Sequence, residues 1–177
     1  FICIIVMGSL LSISIQPVLG GDSREFSLKG RLQAIPFQTE ESLNLAQALL
    51  WVSQDWERSI QDSQYLESIQ SVVQIIQNNV QNESDPQKIV DALRQGIHQE
   101  AKFQYTDRVD AQGLPLNPEE LFLHGLLKTK NGYCMTLSLI YLIVGEHLNL
   151  PLFGVALPNH FFVRYDSPNY RVNIETT

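Results

Sequence analysis

One thiol, one imidazole and one carboxylate follow each other towards the end of the chain: Cys134, His160 and Glu175. A thiolate attacks an acyl carbon. A nearby imidazole takes the thiol proton and returns it to the leaving group, and an acid fixes the imidazole tautomer and steadies its charged form. The set therefore reads as nucleophile, base and orienting group for acyl transfer or hydrolysis at an amide or peptide bond. The competing reading makes Cys134 a small buried hydrophobe and His160 a strand histidine held by hydrogen bonds, in a domain that binds without catalysing. Asn173 competes with Glu175, because a carboxamide also fixes a tautomer. Asn131, Tyr133 and His124 precede Cys134 closely enough to offer an oxyanion donor or pocket lining. His98 and His147 stand beside polar neighbours on helices and read as solvated. A metal held by Cys134, His160 and Glu175 lacks any close-spaced ligand pair, so these residues ask for neither a metal nor another cofactor.

The positioning elements are legible in the pattern. Lys128 and Lys130 fall in the last turn of a helix that Asn131-Gly132 would end, since both residues tolerate a left-handed cap. From Cys134 to Leu148 the chain is apolar nearly all round, which marks a buried central helix. A thiol at its N-terminus feels the positive end of the helix dipole, and the Cys134 N–H is free to face a developing oxyanion. Leu152 to Leu157, His160 to Asp166 and Tyr170 to Glu175 read as strands. A turn centred between Ser167 and Pro168 places His160 opposite Glu175 and Phe162 opposite Asn173. It leaves an apolar face of Phe161, Val163 and Tyr165 against Tyr170, Val172 and Ile174. The same register opposes Arg164 to Arg171, a like-charge pair that Asp166 or a bulge would have to relieve.

Upstream lie four helical patterns. Thr39 caps the first, with Leu45, Leu49, Val52 and Trp56 at helical spacing. Ser63 caps the second, with Leu66, Ile69, Val73, Ile76 and Val80. Asp85-Pro86 opens the third, with Ile89, Val90, Leu93 and Ile97, and Asn117-Pro118 opens the fourth, with Leu121, Phe122, Leu126 and Leu127. Residues 103–116 read as a loop. Helices first and a small antiparallel sheet after them give an α+β class.

At 177 residues and 44% hydrophobic content the chain builds one domain with a real core. The formal net charge of -7, without a basic block, argues against nucleic-acid binding and a polyanionic substrate. Phe1 to Ile15 is apolar, no charge precedes Asp22, and Val18-Leu19-Gly20 supplies small residues, which together read as the hydrophobic part of a secretory signal. An uncleaved membrane anchor and a buried N-terminal helix are the alternatives. The expected organisation is a signal-like segment at 1–20, a leader at 21–38 and a domain at 39–177, helical over 39–131 with the Cys-His-acid core at 132–177. Export to the periplasm or the extracellular space follows, with membrane contact only through an uncleaved first segment. Cys3 would leave with that segment, making Cys134 the sole thiol of the mature chain.

Three stretches carry a resemblance: Leu121-Phe122-Leu123-His124, Asn131-Gly132-Tyr133-Cys134, and Pro158-Asn159-His160-Phe161-Phe162-Val163-Arg164-Tyr165. They resemble the transglutaminase-like superfamily, most closely its SirB-type bacterial branch, with likeness from about Leu43 onward. The resemblance implies a papain-like core with Cys134 as nucleophile, His160 as base and Glu175 at the acid position, acting on a peptide or amide-containing substrate without a cofactor. It also implies a sheet that continues beyond Thr177. The family's acid is usually Asp in an Asp-Pro-like stretch, whereas here Glu175 is followed by two threonines.

Overall fold

The computed structural model describes residues 44–177, so the signal-like segment, the leader and Thr39 lie outside the described residues. Helix α1 (Leu45–Trp56) starts at Asn44, whose side chain accepts the Gln47 N–H at 2.9 Å. Its buried face is Ala46, Leu50 and Ser53, one residue round from the expected stripe. Trp56 stays exposed and stacks on Phe122 with ring centroids 5.0 Å apart. Two adjacent apolar stripes satisfy helical spacing equally, and only the neighbouring helices select one.

Helix α2 (Asp62–Val80) begins a residue before the expected Ser63 cap, and Gln61 in front of it makes no side-chain cap. Asp62 instead accepts the side-chain amides of Gln47 and Gln54, each at 2.6 Å, tying α2 to α1. Ile69, Val73, Ile76 and Val80 are buried as their spacing predicts. Helix α3 (Pro86–Arg94) starts at the Asp85 cap with Pro86 at its first position, and widens into a π-helical turn over Gln95–Glu100.

The fourth expected helix is divided. Asn117 caps a 3-10 turn, Pro118–Leu121, and Phe122 is extended (φ -116°, ψ 154°) before α4 (Leu123–Thr129) begins. The left-handed residue that ends α4 is Lys130, with φ 63°, not Asn131 or Gly132. Asn131–Gly132 form a two-residue strand, β2, parallel to β1 (Gln104–Tyr105) at the start of the stretch read as a loop. This pairing explains why a lysine adopts a conformation better suited to Gly. The Gln104 N–H donates to Lys130 O at 2.9 Å, the Thr106 N–H to Gly132 O at 3.0 Å, and the Lys130 ammonium lies 4.5 Å from the Phe103 ring centroid.

Helix α5 (Cys134–Leu148) is the centre of the molecule. Leu137, Ile140, Tyr141, Ile143 and Val144 are fully buried, and each such side chain contributes about 1.5–3 kcal/mol of apolar burial. Asn149, left-handed at φ 53°, ends it as expected. Among the described residues no helix is long and apolar enough to cross a membrane.

Strands β3 (Leu152–Leu157), β4 (His160–Ser167) and β5 (Tyr170–Ile174) form an antiparallel meander packed on α5. The architecture is α+β, as the sequence implies. The last hairpin has a different register from the expected one: Ser167 pairs with Tyr170, Val163 with Ile174 and Arg164 with Asn173. The turn therefore centres between Pro168 and Asn169. Proline supplies the φ near -65° wanted at the second position of such a turn and fits poorly at the third, where the other register would put it. The slip is two residues on one strand, so the faces survive. Val163, Tyr165, Val172 and Ile174 still point at the core, and Arg171 now lies opposite Asp166 with Nε 2.9 Å from Oδ2. The like-charge opposition of Arg164 and Arg171 does not arise.

Candidate active site

Cys134 is the first residue of α5, and Tyr133 before it is extended and makes no side-chain cap. The first-turn N–H groups thus lack the side-chain acceptor a Ser or Asp would give, which leaves the positive end of the helix open at the thiol. Cys134 is 8% exposed. Tyr133 lies against Tyr105 with ring centroids 5.9 Å apart, and burial raises the Tyr105 phenol above its ordinary value, with Tyr133 and Cys134 as its nearby acidic neighbours. Two tyrosines and the thiol therefore share one corner, where β1 reaches the start of α5. Nothing in the sequence marks Tyr105, which sits in a stretch without periodicity.

His160 opens β4, directly after Asn159, which takes a left-handed φ of 58° in the Pro158-Asn159 turn. Its Nε2 lies 2.9 Å from Glu175 Oε2. The pair forms even though the two residues are not directly opposed. In the observed register Glu175 falls one step beyond Ile174, on the face shared by His160 and Phe162, and its side chain reaches diagonally. Asn173 is opposite Arg164, whose Nε donates to Asn173 Oδ1 at 2.9 Å, so this carboxamide serves the arginine. Among the described residues no hydrogen bond joins Cys134 Sγ to the His160 ring.

A buried hydroxyl links the three neighbourhoods. Ser138 Oγ is 2.8 Å from Cys134 O, 3.2 Å from Phe161 O and 3.0 Å from Thr176 Oγ1; Thr176 Oγ1 is also 3.4 Å from Cys134 O. Phe161 follows His160, and Thr176 follows Glu175. One side chain thus fastens the backbone beside the imidazole and the residue beside the carboxylate to the first turn of α5. Sequence reasoning missed both residues. The available signal was Ser138, four residues after Cys134 on a helix otherwise almost without polar side chains. Ser138→Ala is expected to cost about 1–3 kcal/mol, measured by urea unfolding, because the Phe161 and Cys134 carbonyls lose a buried donor. A change below about 0.5 kcal/mol would show that the hydroxyl fastens nothing.

The other candidates lie apart from this cluster. Asn131 donates from Nδ2 to Thr129 O at 2.8 Å and accepts from Gln104 Nε2 at 3.0 Å, holding β2 against β1. His124 lies between Tyr65 and Phe122, with ring centroids 6.2 and 5.7 Å away. Burial lowers its imidazolium below the ordinary histidine value, against the opposing pull of Glu119 and Glu57. His98, expected to be solvated, is half-buried with Nδ1 2.8 Å from Phe103 O; His147 is exposed. Glu120 is buried, its Oε1 3.0 Å from Arg108 Nη2, and its carbonyl receives the Thr136 hydroxyl at 3.0 Å and the Tyr133 N–H at 3.4 Å. The turn that carries Glu119 and Glu120 therefore supports the N-terminus of α5.

With this geometry established, comparison with known proteins decides the family. The model of the transglutaminase-like superfamily matches residues 63–177, from the start of α2 to the last residue. The chain belongs to the transglutaminase-like superfamily. The transglutaminase-like domain is 27% identical over 127 residues to a UPF0162 protein of Buchnera aphidicola subsp. Baizongia pistaciae, covering 72% of this chain and 45% of that one. It is 23% identical over 124 residues to a UPF0162 protein of Buchnera aphidicola subsp. Acyrthosiphon pisum, covering 70% and 44%. It is 30% identical over 78 residues to human F-box only protein 21, covering 44% and 12%. The chain spans less than half the length of these relatives. Both bacterial and mammalian proteins are similar to it, so the likeness is broader than the bacterial branch expected from the motifs. No solved structure matches.

Proposed function

We propose that the transglutaminase-like domain carries out cysteine-dependent acyl transfer or hydrolysis at an amide or peptide bond, with Cys134 as nucleophile, His160 as base and Glu175 as orienter. The observation that carries this is the His160 Nε2–Glu175 Oε2 hydrogen bond of 2.9 Å, set on strands that Ser138 fastens to the first turn of the Cys134 helix. A carboxylate on Nε2 favours the proton there and leaves the Nδ1 lone pair to act as base. In the proposed reaction the thiol proton passes to Nδ1 as Sγ bonds to the substrate carbonyl. The carbonyl electron pair moves onto oxygen, opposite the first N–H groups of α5. Collapse expels the amine, which takes the proton from the imidazolium. The thioester then passes to water in hydrolysis or to a second amine in transfer. The thiol and the ring close to hydrogen-bond distance when substrate binds, as apo sites of this kind often tighten.

Alkylation by iodoacetamide near neutral pH, followed by mass spectrometry of the Cys134 peptide, tests the reading. The expected rate is at least tenfold above that of a model thiol such as glutathione, falling to the model rate in His160→Ala. Wild-type labelling no faster than the model thiol would return Cys134 to the core and leave a binding domain that keeps the fold.

A further inference from the structure

His124 presents a problem that the Cys134 site does not solve. Its side chain is 1% exposed, and among the described residues neither Nδ1 nor Nε2 has a hydrogen-bond partner. Buried polar atoms are almost always satisfied, and leaving one without a partner costs about 1–3 kcal/mol. The ring is confined by Tyr65 on its edge and by Phe122, so it is held in place by packing with its nitrogens unused. Two carboxylates come to it from different parts of the chain. Glu57 stands at the C-terminal end of α1 and Glu119 in the 3-10 turn, and one ligand atom from each of Glu57, Glu119 and His124 lies within 4.8 Å of the other two.

We propose that Glu57, Glu119 and His124 form a binding site for a divalent transition-metal ion of the zinc class, outside the Cys134–His160–Glu175 set.

The donor set fits that class. One imidazole and two carboxylates, without thiolate, suit zinc, cobalt or manganese; calcium and magnesium prefer oxygen alone, and copper(I) prefers sulfur. Ligand bonds of ~2.0–2.2 Å place tetrahedral donors about 3.5 Å apart, so the three atoms need to close by about an ångström. Glu57 is the exposed C-cap residue of α1, and its Oε1 accepts the hydroxyl of Ser59 at 2.5 Å, a surface hydrogen bond that closing on a metal would exchange for a ligand bond. Burial favours the neutral form of the His124 ring, the form that ligates. Glu57, Tyr65, His124 and Lys128 line one open cleft of about 290 Å³, which brings solvent to the edge of the buried ring. Lys128 Nζ lies 3.0 and 3.4 Å from the two Glu119 oxygens, so a cation already sits against one of the carboxylates. That ammonium competes with the metal and lowers its affinity without occupying the imidazole. The three ligands are scattered in sequence, with Glu119 and His124 on either side of the break at Phe122, so no motif announces them.

The test is a calorimetric titration of the full, chelator-treated chain with Zn²⁺, repeated with Co²⁺ read by its visible absorption. The expected result is one ion per chain, weakened roughly tenfold or more in Glu57→Gln and in Glu119→Gln, and unchanged in Cys134→Ser. His124→Ala is expected to abolish binding; should that variant fail to fold, the two glutamate variants decide, since Glu57 is a surface residue. Absence of binding at millimolar Zn²⁺, binding unchanged in both glutamate variants, or binding lost in Cys134→Ser each overturns the proposal. Because Cys134→Ser separates the two sites, failure here is distinct from failure of the cysteine chemistry.

Discussion

Cys134→Ser and His160→Ala are each expected to lower kcat/KM by about 10⁴-fold or more on the best amide or ester found in a panel of acyl substrates, a loss of roughly 5.5 kcal/mol of transition-state stabilisation. In the proposed mechanism the two substitutions act on one step, transfer of the thiol proton as the Sγ–carbon bond forms, so the double variant should be little worse than either single one. Glu175→Gln should cost far less, about tenfold. Its side chain is 58% exposed and that of His160 34% exposed, and water screens a pair so placed. Asn173→Ala should change the rate by less than about twofold, because the Asn173 carboxamide is engaged by Arg164. Far-UV circular dichroism confirms the folding of each variant. Activity surviving within tenfold in Cys134→Ser would remove the cysteine from the mechanism. An Asn173 effect larger than the Glu175 effect would move the orienting role to the amide.

Gly125→Ala is expected to be the most damaging small substitution in the domain. A Cβ on Gly125 would stand 1.9 Å from Glu119 O and 2.3 Å from Glu119 C. Both are backbone atoms, so no side-chain rotation relieves the overlap, and the 3-10 turn or α4 has to move. The turn is not free to move. Glu120 is buried in it, and its carbonyl holds the Tyr133 N–H and the Thr136 hydroxyl at the start of α5. Overpacking of this kind costs about 3 kcal/mol or somewhat more, which lowers the melting temperature by roughly 6–12 °C for a domain of this size. The same displacement should slow Cys134 alkylation, because the first turn of α5 shifts with its support. A calorimetric melt and the alkylation rate read the two effects separately. A melting temperature within about 2 °C of wild type would mean that the close approach of Gly125 to Glu119 constrains nothing.

The last hairpin shows how far the pattern of residues carries and where it stops. Alternation of apolar residues fixed the faces of β4 and β5, and with them the sharing of one face by His160 and Glu175, because a strand's side chains have a period of two. It did not fix which residues lie opposite. A slip of two on one strand keeps every face and changes every partner, and Phe161, Val163, Tyr165, Val172 and Ile174 are equally apolar in both registers. Turn chemistry held the missing information. Proline at the second turn position, together with the unfavourable meeting of Arg164 and Arg171 in the other register, both point to the observed pairing. The helices behave similarly. Ile69, Val73, Ile76 and Val80 on α2 are buried where their spacing puts them, whereas α1 offered two stripes and only packing chose Ala46 and Leu50. Asn131-Gly132 looked like a helix stop, and Lys130 took that role because β1 arrives from another part of the chain to pair with β2.

By itself, then, the sequence determined the α+β class, the buried helix that begins at Cys134, the order of thiol, imidazole and carboxylate, and the face on which the last two meet. These follow from local periodicity, capping and the two-residue repeat of a strand, all of which act between neighbours in the chain. Only the tertiary structure decided that Glu175 reaches His160 diagonally, that Ser138 fastens both strands to the Cys134 turn, that Asn173 serves Arg164, and that Glu57, Glu119 and His124 converge. Those depend on contacts that reach as far as the 67 positions between Glu57 and His124, which no local pattern encodes, because the packing of the whole core sets which distant side chains share a space.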